Sequence, residues 1–102
     1  MPERTTLADL DETPHAEVFE IEAHRPRVVR LRLAADERIP RHTHEGTNVV
    51  LHLLDGRLEL TLDDETYDLD PGDVIRFSGE REVSPYAVEP STAVAVFAPA
   101  ES

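Results

Sequence analysis

From Glu17 onward the apolar residues of this chain recur at every second position, in short runs closed by turn-forming residues. Phe19, Ile21 and Ala23 alternate with Glu20 and Glu22, and Val29, Leu31 and Leu33 alternate with Val28, Arg30 and Arg32. Leu58, Leu60 and Leu62 continue the pattern, followed by Asp73–Phe77 and Thr92–Ala98. Successive side chains of a strand point to opposite faces, so a period of two collects the apolar groups on one side of a sheet. Turn signals at Ala35-Asp36, Asp55-Gly56, Asp63-Asp64, Pro71-Gly72, Ser78-Gly79 and Glu89-Pro90 separate the runs. No segment of helical length keeps a helical stripe, and the most apolar run, Val49–Leu54, is short enough to be a strand buried on both faces.

These features predict an all-β fold, a jelly-roll β-barrel of about 8–9 antiparallel strands whose closure removes exposed edges. Residues 1–14 are polar and proline-bounded, with only Leu7 and Leu10 at helical spacing, and read as a short N-terminal arm. Residues 15–102 read as a single barrel domain, because 102 residues supply one modest core.

Composition narrows the chemistry. The chain has no cysteine, which removes disulfides, thiolate catalysis and iron–sulfur ligation and leaves imidazole and oxygen as metal donors. Against 22 acidic residues stand 10 basic ones, all arginine, and the net charge of −12 opposes binding to nucleic acid or an anionic membrane. Acid excess without lysine fits a halophilic protein working in concentrated salt, where screening removes self-repulsion; a GC-rich genome is the alternative source of the arginine bias. No apolar run reaches the roughly 20 residues of a membrane span. The segment Met1-Pro-Glu-Arg-Thr-Thr lacks the layout of a signal peptide, so a cytoplasmic location is expected.

One place carries the types of residue that do chemistry. His42 and His44 stand one residue apart, and on an extended backbone they share a face with Cα atoms roughly 7 Å apart. Two imidazoles so placed are half of a metal site. His52 falls on the face opposite Val49, Leu51 and Leu53, while His15 and His24 flank the first strand and read as solvated. The arginines of Arg27–Arg32 are expected to point outward and pair with surface glutamates. Ser78, Ser84, Ser91 and Ser102 lack a nucleophile elbow and the four glycines build no phosphate loop, so no catalytic residue is assigned.

The register around the histidines resembles the cupin family. Its first motif runs glycine, five residues, His-x-His, four residues, glutamate, six residues, glycine; here those places hold Asp36, His42, His44, Val49 and Gly56. Its second motif, ending in a histidine and an asparagine, falls on Gly72, Ser78, Glu80, Val83 and Ala87, and 15 residues separate Gly56 from Gly72. Leu54-Asp55-Gly56 and Leu69-Asp70-Pro71-Gly72-Asp73-Val74-Ile75 are also similar to the family's turns.

The resemblance implies a cupin-type barrel and, in full members, three histidines and a glutamate around iron, manganese, nickel, copper or zinc. This chain keeps His42 and His44; valines hold the other two places, and Glu45 or Asn48 are the oxygen donors left to assist. Val49, Leu51 and Val83 are expected to line an apolar pocket. The resulting expectation is a small-ligand-binding or sensing module with at most weak divalent metal binding. The alternative is a metal-dependent dioxygenase, isomerase or lyase acting on a small organic acid or sugar, with Tyr86 or Arg76 orienting substrate. The family further implies a homodimer, for which Val28, Val50 and His52 supply a candidate face.

Overall fold

A computed structural model of the chain describes residues 15–17 and 27–99. The expected arm over 1–14, His24 and nearly all of the expected strand at Glu17–Ala23 lie outside the described residues. Within them there is no helix, and six strands follow in order: β1 (His15–Glu17), β2 (Arg27–Leu33), β3 (Thr47–Leu62), β4 (Glu65–Leu69), β5 (Val74–Ser78) and β6 (Val83–Pro99). All pairings are antiparallel, in the order β1-β2-β6-β3-β4, with β5 pairing β3 along the edge opposite β6.

Among the described residues the count is six rather than eight or nine, in part because β3 and β6 are long and bent. β3 joins Val49–Leu54 to the run of Leu58, Leu60 and Leu62, and β6 carries the run Thr92–Ala98 back to Val83. Asp55-Gly56 and Glu89-Pro90, read above as turns, lie inside β3 and β6, where the ladder shifts register between Leu53 and Leu58. The first half of β3 pairs with β5 and the second half with β4, so one strand serves both walls of the barrel.

The bend has a local cause. Gly56 has a φ of 91°, and a Cβ there would run into the carbonyl of Pro90 and the side chain of Ser91 on the neighbouring strand. Only glycine allows that approach. The buried Ser91 hydroxyl then accepts from the Arg57 N–H at 2.9 Å and reaches the Glu89 carbonyl at 2.7 Å, replacing ladder bonds lost at the shift.

A further strand-like segment closes the barrel. Residues 36–42 run antiparallel to the first half of β6 through the bridges Arg38–Tyr86 and His42–Val83. Hydrogen bonds from Asp36 N–H to the Ala87 carbonyl (2.7 Å) and Ile39 N–H to the Pro85 carbonyl (3.0 Å) hold it there. Pro40, which has no N–H, interrupts the pairing.

The alternating residues meet inside as predicted. Val29, Leu31, Leu33, Leu53, Leu58, Leu60, Leu62 and Phe97 are buried in one cluster. Burying each leucine or phenylalanine stabilises the fold by roughly 1.5–3 kcal/mol relative to exposure. Val49–Leu54 differs from expectation: Val49, Leu51 and Leu53 are buried, Val50 and His52 are half-buried, and Leu54 is exposed. The arginines of β2 differ too. Arg32 is exposed, but Arg30, opposite Ala16 of β1, is only 3% exposed, and Arg27 lies with its guanidinium 5.2 Å from the centre of the Phe97 ring.

Candidate functional site

The barrel encloses a cavity of about 490 Å³, within the range of small-molecule sites. Its walls come from three directions: Val29 and Leu31 of β2, Val49, Leu51 and Leu60 of β3, and Val83, Pro85, Ala95 and Phe97 of β6. Phe77 of β5 closes the side. The remaining lining residues, Ile39, Pro40, Arg41, His42 and His44, all belong to the segment leading into β3. Pro40 and Arg41 are exposed and the two histidines half-buried, so the cavity opens along this segment.

His42 and His44 do share the inward face. Their ring centres are 4.7 Å apart with planes at 86°, an edge-to-face contact, and His44 also packs on Phe97 at 4.6 Å. His42 Nδ1 lies 2.8 Å from the Pro40 carbonyl oxygen. A carbonyl only accepts, so Nδ1 carries the proton and Nε2 keeps the lone pair in the neutral ring.

The backbone fixes His44 as closely. Its N–H donates to the Gly79 carbonyl at 2.8 Å, its carbonyl accepts from the Thr47 hydroxyl at 2.6 Å, and the Gly79 N–H donates to the Thr47 carbonyl at 2.8 Å. A Cβ on Gly79 would collide with the His44 carbonyl, so glycine is what lets the β5–β6 turn dock against the histidine loop. The Glu80 carboxylate completes the contact by accepting from Gly46 N–H at 2.9 Å.

The residues present do not fit a closed ion site. Among the described residues no three histidine, aspartate or glutamate side chains converge on one point. First-row metal centres ordinarily take at least three protein ligands, and an edge-to-face imidazole pair directs one ring at the face of the other. Val49 and Val83, at the two replaced positions, both line the cavity, as does Leu51.

The assisting donors are elsewhere. Asn48 is exposed on the outer side of β3, opposite Ser78 and Ala98, and Glu45 is exposed in the turn before the strand. Arg76 is likewise exposed, paired with Val50 on the outer face. Tyr86 lies outside the cavity lining and donates its hydroxyl to Asp36 at 2.6 Å, under a stacked Arg38. That bond to a carboxylate raises the phenol above its ordinary value, with partial burial adding to the effect.

Several lining residues were not singled out from the sequence. Phe97 and Phe77 sit on the apolar side of alternating runs, where periodicity marks them as inward without distinguishing cavity from core. Arg41 carries no periodic signal; only its place beside His42 points to it.

Comparison with known proteins agrees with this architecture. The family model described as "Cupin domain" matches residues 29–97. A search of curated proteins gives no match. Solved structures similar to this chain include KdgF from Halomonas sp., with a TM-score of 0.74 and 20% identity over 89% of this chain and 84% of that one. An RmlC-like cupin from Shewanella frigidimarina has a TM-score of 0.79 and 14% identity over 99% and 94% of the two chains. The cupin domain of an XRE family transcriptional regulator from Enterobacter cloacae has a TM-score of 0.73 and 21% identity over 83% and 94%. At these identities the likeness is one of fold. Motif spacing, barrel and a family match across most of the described residues converge on one assignment: the chain belongs to the cupin domain family.

Proposed function

We propose that this chain is a small-ligand-binding cupin module whose ligand occupies the barrel cavity. The observation that carries the reading is the cavity itself: about 490 Å³ enclosed almost wholly by apolar side chains, with valines where the resemblance calls for metal ligands. Such a space removes apolar surface from water on binding, at roughly 25 cal/mol per Å². An ion held by two imidazoles in it would lack the further donors that offset desolvation.

The metal-dependent enzyme is the competing reading. The edge-to-face histidines and the exposed positions of Glu45 and Asn48 count against it. A single pair of titrations separates the two. Stabilisation of the metal-stripped protein by an apolar small molecule, lost in Ala95→Phe, which fills the cavity, supports the binding module. Stabilisation that instead grows with the logarithm of iron, manganese, nickel, copper or zinc concentration, and is lost in His42→Ala, supports the enzyme.

A second copy of the chain is the partner we infer for the outer sheet face. Val28, Val50, His52, Val94 and Val96 stand side by side there, half-buried, and Val74 at the edge is 61% exposed. A contiguous valine row is unusual on a chain with 31% charged residues. Light scattering in molar salt tests this, and a monomer across the accessible concentration range removes it.

A further inference from the structure

The lining of the cavity departs from the rest of the chain in its charge. Twenty-two acidic residues stand in the sequence, and among the described residues that line the cavity none is acidic. Among the described lining residues the one with a permanent charge is Arg41, on the open side beside His42 and His44. A chain so acidic, read at random, would place carboxylates around any opening. Here the polar groups of the rim are a guanidinium and two imidazoles, and everything deeper is apolar.

Two of the nearby carboxylates are engaged elsewhere. Asp63 receives Arg81 at 2.8 Å and the Glu82 N–H at 3.0 Å, while Glu80 receives the Gly46 N–H. Arg41 itself gives Nη1 to the Asp63 carbonyl oxygen at 2.6 Å, which anchors the guanidinium by the β3–β4 turn, and a guanidinium carries five N–H donors, so others are left for a ligand. Arg27 brings a second guanidinium to the Phe97 ring on which His44 packs.

We propose that the cavity selects an apolar monocarboxylate, its tail among Leu31, Leu51, Leu60 and Phe77 and its carboxylate at Arg41. This names the ligand class for the small-ligand reading given above and rests on it. One guanidinium in the lining matches one negative charge. Charge-assisted bonds from guanidinium to carboxylate are about twice as strong as neutral ones, and the low-dielectric cavity beneath strengthens them further. A neutral ligand of the same body would leave the rim's donors to water. A cationic one would meet Arg41.

The test uses two apolar bodies with three head groups each: octanoate, 1-octanol and octylammonium; 4-phenylbutanoate, 4-phenylbutan-1-ol and 4-phenylbutylammonium. Binding to the full chain is measured by calorimetry at one fixed salt concentration. The expected result is that the acid of at least one body binds about tenfold or more tighter than its alcohol, with the ammonium weakest. Arg41→Gln should narrow the acid-over-alcohol preference at least about threefold, and Arg41→Lys, which keeps the charge, should retain most of it. Equal binding of acid and alcohol, or tighter binding of the ammonium, overturns the proposal while leaving the small-ligand reading in place. If none of the six binds, both fall together.

Discussion

His42 and Val83 face one another across a bridge of two backbone hydrogen bonds, 3.2 Å from His42 N–H to the Val83 carbonyl and 2.9 Å in the reverse direction. Val83 therefore stands beside the first histidine at the cavity wall, in the place where the cupin resemblance calls for the third. On that resemblance the difference from a metal cupin at this place is one of side-chain identity.

That pairing makes Val49→Glu combined with Val83→His a gain-of-function test. Without metal the double variant should lose stability, because a carboxylate enters an apolar cavity. With zinc or nickel at about 100 times its dissociation constant it should recover about 2.7 kcal/mol, seen as a rise in thermal midpoint. Adding His42→Ala should abolish the rise. A double variant that ignores every metal tried shows that the two positions do not converge with the histidines.

Gly79 should be intolerant of even one methyl. Gly79→Ala forces the β5–β6 turn away from the His44 carbonyl and should cost about 1–3 kcal/mol of unfolding free energy, the usual range for overpacking. The imidazole resonances of His44 should shift as well. Denaturant melts and NMR of the two histidines check both halves of the claim.

Ser91→Ala removes the hydroxyl that satisfies the Arg57 N–H at the bend. An unsatisfied buried donor costs about 1–3 kcal/mol, and the loss should appear in equilibrium unfolding. Hydrogen exchange at Arg57 should accelerate more than exchange at Leu60, which keeps its own ladder.

Acid titration should reveal the end of the barrel at the β3–β4 turn. Arg81 donates to Asp63 at 2.8 Å and to Glu65 at 2.6 Å. The Arg81 bond first, and then the Glu82 N–H, hold the Asp63 carboxyl below its ordinary value. A depressed carboxylate stabilises the fold above its unfolded value, near 3.9, and that contribution fades as pH falls through the lower folded value. Asp63→Asn should therefore be less stable than the parent at neutral pH and converge with it as pH falls through the lowered folded value. Because both groups are part-exposed, molar salt should shrink the gap.

Salt should act on the whole chain in the opposite direction. With a net charge of −12, the thermal midpoint should rise between dilute buffer and molar salt as the Debye length falls to about 3 Å. An unchanged midpoint removes the halophilic interpretation of the composition.

Much of this architecture was legible in the sequence, and the parts that were not share a physical reason. Alternation identified which side chains of β2, β3 and β6 face inward, because that signal is local. Asp55-Gly56 and Glu89-Pro90 read as turns for the same local reason. What makes them bends within continuous strands is that each meets the other, and a meeting between residues some thirty-five positions apart leaves no mark in either stretch. Arg30 was misread similarly: alternation gave its face correctly, and the burial of that face depends on what packs over it. At the site, the spacing of His42 and His44 gave their common direction, while the edge-to-face contact of the rings and the place of Arg41 at the opening required the fold.

The paired bends of β3 and β6 also bear on how the chain reaches this state. The ladder between them joins Thr47 to Pro99 at one end and Leu62 to Val83 at the other, and it passes through both walls with register shifts at the bend. Its closest pairing spans the whole β4–β5 region, so there is no local hairpin on which that ladder can start. Topologies built on such distant pairings fold slowly, in milliseconds to seconds. The cavity should therefore come into being in a single late step, and its ligand should speed no part of folding before that step while slowing unfolding after it.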